Sequence, residues 1–302
     1  MFQRFLIQKI FVVGILLILF GAGCVHETGQ KPNQSSESFF DFCLEKVINS
    51  NLQSGDVLAL AQQETLEDYN FVLEKGGEII SLNQEKTFAV WWQPEDFDPA
   101  NNLVAVSLHG HSGWATTDFK IWYPELAERH LAFVGLQWWF GRTPEENGYD
   151  KPVTIYQNIV EVLQAKNIPV GQVIFQGFSM GAARSYGVSL YDNLCGEKYF
   201  GVNIANSGPW EDDYPLYKRV LSGEFGVIPF SGTRWILFCG ENDNDQFGLG
   251  HVCDGMQDSY NRLTEFGGSV DLFLRDPDGD HGSLMRNQEN IDRVLEAALK
   301  NF

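Results

Sequence analysis

Val173-Ile174-Phe175-Gln176-Gly177-Phe178-Ser179-Met180-Gly181 is the stretch on which the reading of this chain turns. An apolar run suited to a buried strand gives way to Gly-x-Ser-x-Gly, and Ala182–Leu190 behind it looks helical. The chain must reverse within a few residues there. Ser179 then takes a strained backbone conformation, and side chains at 177 or 181 would collide with neighbouring elements. Such a turn lifts a serine hydroxyl above a strand end and sets the amide of Met180 beside it. Ser179 is therefore a candidate nucleophile, with Phe178 next to it as a candidate substrate contact.

A nucleophilic serine needs a base, a group that orients the base, and donors for the developing oxyanion. Downstream, Arg234–Cys239 reads as a buried strand running into Gly240-Glu241-Asn242-Asp243-Asn244-Asp245. An acid just past that strand would lie on the same sheet edge as the serine, and Glu241, Asp243 and Asp245 all qualify by position. Ser269–Leu274 is a further short strand, leading through Asp276-Pro277-Asp278-Gly279-Asp280 to His281-Gly282. A histidine between the last strand and the last helix suits a general base. His251 is the other histidine beyond the serine, but it follows Asp243 too closely to occupy a separate strand-end loop. Upstream, Leu103–Leu108 ends in His109-Gly110-His111-Ser112-Gly113, a loop whose backbone amide at His111 would be a second oxyanion donor beside Met180. The side chain of His111 has no role in this reading, and His109 is expected to hold the loop as scaffold.

Taken in order, His109-Gly110, Gly177–Gly181, Asp243 and His281 resemble the α/β-hydrolase superfamily, over a segment from about Thr87 to the C-terminus. Within it the chain looks most like the secreted esterase, polyhydroxybutyrate-depolymerase-like and dienelactone-hydrolase-like branches. The resemblance implies a mostly parallel central sheet with helices on both faces and no large cap domain. It also implies a serine hydrolase acting on small-molecule or polymer carboxylic esters, without a cofactor or metal. Asp243 becomes the first choice of acid, since a Gly-x-x-Asp turn after this strand is usual in the family; Asp245 stands in reserve and Glu241 third. A peptidase or acyltransferase would use the same groups, and a non-catalytic lipoprotein that captures glycan or polymer is the reading from another class.

The strongly acidic balance, net −19 over 302 residues, argues against nucleic acid, which requires basic patches to displace counterions. At the N-terminus Arg4 and Lys9 precede the apolar run Ile10–Phe20, and Gly21-Ala22-Gly23-Cys24 comes next. The run is too short for a spanning helix, and small residues before a cysteine resemble a bacterial lipobox. Gly21 departs from that pattern, which leaves ordinary cleavage or an uncleaved anchor open. Residues 1–23 are thus expected to be a signal peptide, with lipidation at Cys24 anchoring the protein to the membrane outside the cytoplasm. Secretion is the alternative. Residues 24–38 would be a tether, 39–85 an extension packed on the core, and 86–302 the catalytic domain. Cys43, Cys195, Cys239 and Cys253 remain, an even number in an export-competent chain, and allow three pairings.

Between these landmarks strands and helices alternate. Apolar residues recur at helical spacing at Phe119, Trp122 and Leu126, at Ile155, Ile159 and Val162, at Met256, Tyr260 and Leu263, and at Ile291, Val294 and Leu295. Such alternation gives a parallel sheet covered on both faces, with functional loops at the strand C-termini. Trp114, Trp138, Trp139 and Trp210 all fall in loops expected on that edge. They would either bind an acyl group or sugar ring, or fill space beneath the loops. The segments 147–150 and 209–228 are the expected specificity loops, the second as a small lid. Asp276–Asp280 has the look of a calcium loop but carries Asn287 where the bidentate glutamate belongs, so a turn presenting His281 is the better reading.

Overall fold

The computed structural model describes residues 43, 57–82, 87–140, 148–244, 251–300 and 302. The expected signal peptide, Cys24, the tether, Asp245 and, apart from Cys43, residues 39–56 of the expected extension lie outside the described residues. Among the described residues no helix is long and apolar enough to cross a membrane. All of the described elements belong to the unit Ser35–Phe302.

Among the described residues there are eight strands: β1 (Glu78–Leu82), β2 (Thr87–Trp92), β3 (Val104–Leu108), β4 (Ala132–Leu136), β5 (Val173–Phe178), β6 (Phe200–Asn206), β7 (Arg234–Gly240) and β8 (Ser269–Asp276). They form one sheet in the order β1-β2-β4-β3-β5-β6-β7-β8. The first two strands are antiparallel, with Val90 opposite Gly135 and Ile79 opposite Val90. From β4 onward every pairing is parallel, with Leu108 beside Gly177 and Ala205 beside Leu237. Parallel strands need crossovers, which the helices supply: α1 (Val57–Glu64) and α2 (Leu66–Glu74) precede the sheet, and α3 (Ala115–Glu128), α4 (Pro152–Ala165), α5 (Met180–Cys195), α6 (Pro215–Leu221), α7 (Val252–Glu265), α8 (Ser283–Arg286) and α9 (Gln288–Leu299) come after.

Alternation along the central strands divides the core in two. Val173 and Phe175 of β5, and Trp235, Leu237 and Cys239 of β7, face the layer of α4, α5 and α7. Ile174, Ile236 and Phe238 face the layer of α1, α3 and α9. A strand buried on both faces reads as a continuous apolar run, which is why β5 and β7 were visible in sequence. Helix α3 begins at Ala115, four residues ahead of the apolar pattern that starts at Phe119, because Gln137 beyond β4 accepts the otherwise orphaned N–H of Ala115 at 2.9 Å. Disulfides join Cys43 to Cys195 at the end of α5, and Cys239 in β7 to Cys253 in α7.

Candidate active site

The turn between β5 and α5 has the strained geometry its sequence foretold. Ser179 sits at φ 54°, ψ −120°, a region that costs a non-glycine residue on the order of 1–3 kcal/mol. Its N–H is held by Asn206 O at 2.8 Å, and its carbonyl starts α5 by accepting from Ala183 N at 2.9 Å. The flanking glycines are obligatory. A Cβ on Gly177 would lie 2.5 Å from the Gly181 backbone, and one on Gly181 only 2.3 Å from Leu108 O. Helix α5 therefore presses directly on the end of β3, which brings the loop after β3 over the serine.

Three loops from the same sheet edge meet at this serine. His281, in the turn after β8, has its Nε2 2.8 Å from Ser179 Oγ and its Nδ1 2.7 Å from an Asp243 carboxylate oxygen. Asp243 is 5 % exposed and lies in the loop after β7. Its N–H bonds Gly240 O and its carbonyl accepts from Val252 N, each at 3.1 Å. The other acids part company here: Glu241 makes a two-pronged ion pair with Arg275, at 2.6 and 3.1 Å, which lowers its pKa. The turn carrying His281 is built by its own aspartates. Asp276 accepts from Asp278 N at 3.2 Å and from Asn290 Nδ2 at 2.6 Å. Among the described residues no cluster of histidine, cysteine and acid could hold a metal ion.

The Met180 and His111 amides have no hydrogen-bond partner among the described residues. The loop carrying His111 crowds the nucleophile, since a Cβ on Gly110 would lie 3.0 Å from the Phe178 ring and 3.3 Å from Ser179 Cβ. Phe178 in turn packs its ring against His281, centroids 4.9 Å apart. His109 is 3 % exposed, bonds Gly110 O at 2.9 Å and stacks on Trp138, and burial pushes its pKa down to about 4. It serves the loop as neutral scaffold. A chain of donors and acceptors of this kind can move a proton from Ser179 to His281 and hold the resulting imidazolium against Asp243.

The tryptophans divide unevenly. Trp138 is completely buried, with its indole N–H donated to His109 O at 3.2 Å, and Trp210 is packed among Tyr186, Tyr217 and Phe230 in the core. Both correct the expectation of a substrate-facing ring: they lie at strand ends, but their side chains turn inward. Trp114 is also buried and meets half-buried Trp139 edge to face at 5.2 Å. The expected lid at 209–228 is likewise part of the wall, since Leu216, Tyr217, Val220 and Phe225 join the core, and of its large apolar side chains Val227 and Ile228 are the exposed ones. Sequence reasoning missed Tyr149 altogether as an individual residue. Its phenol oxygen lies 2.5 Å from His111 Nδ1.

Solved structures share this architecture. A structure of an esterase from the fungus Rhizomucor miehei matches at 15 % identity and TM-score 0.57, covering 88 % of this chain and 95 % of the other. The Francisella virulence factor BioJ matches at 13 % identity and TM-score 0.53, covering 81 % and 93 %. An esterase from Pyrobaculum calidifontis matches at 13 % identity and TM-score 0.52, covering 80 % and 91 %. No family model matches the sequence, and no curated protein does. At these identities the likeness is one of fold, and the fold is that of the α/β hydrolases.

Proposed function

We propose that this protein is a serine hydrolase of carboxylic esters. One observation carries the reading: the unbroken chain from Ser179 Oγ through both ring nitrogens of His281 to Asp243, at 2.8 and 2.7 Å. In the proposed reaction Ser179 attacks the ester carbonyl carbon as His281 Nε2 takes its proton. Asp243 keeps the proton of His281 on Nδ1, so that Nε2 is free to act as base. The amides of Met180 and His111 receive the negative charge on the carbonyl oxygen, the alcohol leaves with the proton from His281, and water releases the acyl group. Phe178 and half-buried Trp139 are the proposed apolar contacts for substrate, with buried Trp114 backing Trp139. The partly buried serine and the 45 % exposed His281 side chain suit a substrate that reaches the site from open solvent. We place the protein on the bacterial cell envelope through lipid on Cys24, with release by secretion as the alternative.

The test is labelling by a fluorophosphonate, with the wild type compared against Ser179→Ala on acetyl, butyryl, long-chain acyl and feruloyl esters. Labelling and turnover are both expected in the wild type, and neither in the variant. A wild type that neither labels nor turns over any ester overturns the reading in favour of a binding lipoprotein.

A further inference from the structure

The loop that carries the His111 amide is clamped from outside by a second element. The strand-like segments around Trp138 and Tyr149 pair with one another: Asp150 N bonds Trp138 O at 2.9 Å, Phe140 N bonds Gly148 O at 2.8 Å, and Trp139 and Tyr149 form an antiparallel bridge. This paired segment grips the loop after β3 at two points. At its base, the Trp138 indole donates to His109 O at 3.2 Å. At its outer end the Tyr149 phenol accepts from Ser112 N at 3.3 Å and meets His111 Nδ1 at 2.5 Å. The Tyr149 ring is itself fixed against Trp138, centroids 4.9 Å apart.

At the outer grip the loop is under strain, for Ser112 sits at φ 55° without being glycine. A backbone held in that region persists only where its surroundings over-determine it. Among the described residues the phenol is the side-chain partner of the Ser112 N–H, and the same oxygen bonds the His111 ring. The phenol oxygen thus takes the Ser112 N–H and shares one further proton with His111 Nδ1. The two rings also lie against each other, centroids 5.8 Å apart, so one side chain holds both residues that follow Gly110.

We propose that Tyr149 is a positioning residue for the oxyanion loop: through His111 and Ser112 it sets the direction of the His111 amide toward the serine. The proposal rests on Ser179 being the nucleophile. It gives the His111 side chain a role that the backbone reading alone denies it. An amide aimed at the oxyanion acts only as charge develops, so its misplacement lowers kcat and leaves substrate binding alone.

Tyr149→Phe keeps the ring against Trp138 and removes only the hydroxyl. Loss of a whole oxyanion donor costs about 10²–10³ in kcat, so its displacement is expected to cost about ten- to a hundredfold, with KM within about twofold. The affinity for a trifluoromethyl ketone, whose serine adduct carries the same oxyanion, falls in proportion, and the melting temperature stays unchanged. His111→Ala loses as much as Tyr149→Phe, the double variant no more than either, and His111→Asn, which keeps a hydrogen-bonding group near the Nδ1 position, retains most of the rate. Wild-type kcat in Tyr149→Phe overturns the proposal, as does a loss that appears in KM or in stability instead. Absence of turnover by the wild type overturns the nucleophile assignment, and this proposal with it.

Discussion

Removing the two disulfides one at a time separates stability from catalysis. Cys43–Cys195 spans 152 residues and Cys239–Cys253 only 14. In the chain-entropy treatment the long bridge stabilises by about 5 kcal/mol and the short one by about 3 kcal/mol. Their effects on rate should run the other way. The short bridge closes the base of the loop that carries Asp243, and inside it the acid is held by the 3.1 Å bonds to Gly240 and Val252 and by the Asn244–His251 bridge. Cys239→Ala with Cys253→Ala lets the end of β7 and the start of α7 drift apart, and Asp243 with them. A displacement of about 1 Å in such a group costs up to about 10²-fold, so kcat is expected to fall about ten- to a hundredfold. Cys43→Ala with Cys195→Ala should lose more stability yet keep kcat within about twofold. Guanidinium unfolding gives the first quantity, and ester turnover at low temperature, well below either transition, gives the second. Equal losses of kcat in both variants, or wild-type kcat in the first, would refute the argument.

Stability should respond to pH through two buried groups that oppose one another. Burial pushes Asp118 up to about 7, against a bond from Ser107, while His109 is pushed down to about 4. Asp118, raised, contributes stability below its unfolded value that is lost as pH climbs through 7; His109, lowered, contributes stability above its unfolded value that is lost as pH falls through 4. Between those limits the slopes partly cancel, so Asp118→Asn should gain on the wild type with rising pH, by up to about 4 kcal/mol, and a pH-independent difference in unfolding midpoint refutes this. Gly181→Ala offers a sharper sign test. Helix propensity alone would favour alanine by about 1 kcal/mol, but its Cβ meets Leu108 O at 2.3 Å and His109 O at 2.7 Å, so a loss of about 1–3 kcal/mol is expected in thermal unfolding.

The sheet was legible because its central strands are buried on both faces and so appear as unbroken apolar runs, β5 and β7 above all. The elbow was legible because only glycine fits at 177 and 181, a constraint that spacing alone reveals. Side-chain direction was not. Trp138 and Trp139 are neighbours in sequence, yet one is completely buried and the other half-buried, because successive residues in extended chain point to opposite sides. Position at a strand end says which edge a residue occupies and leaves open whether it faces in or out. The acid was ambiguous for a related reason: Glu241 and Asp243 share a loop, and only the three-dimensional reach of Arg275 takes one of them away. The Tyr149–His111 contact joins residues 38 positions apart across two irregular loops, where no periodicity exists to announce it.

The backbone at Ser179 has a further consequence for how such a chain can change. At φ 54° the position suits glycine better than any other residue, so the turn would be more comfortable without its hydroxyl. Under the proposed reaction the strain is what the fold gives up to set a side chain within reach of an imidazole, so Ser179→Gly should fold more stably than the wild type while losing all turnover.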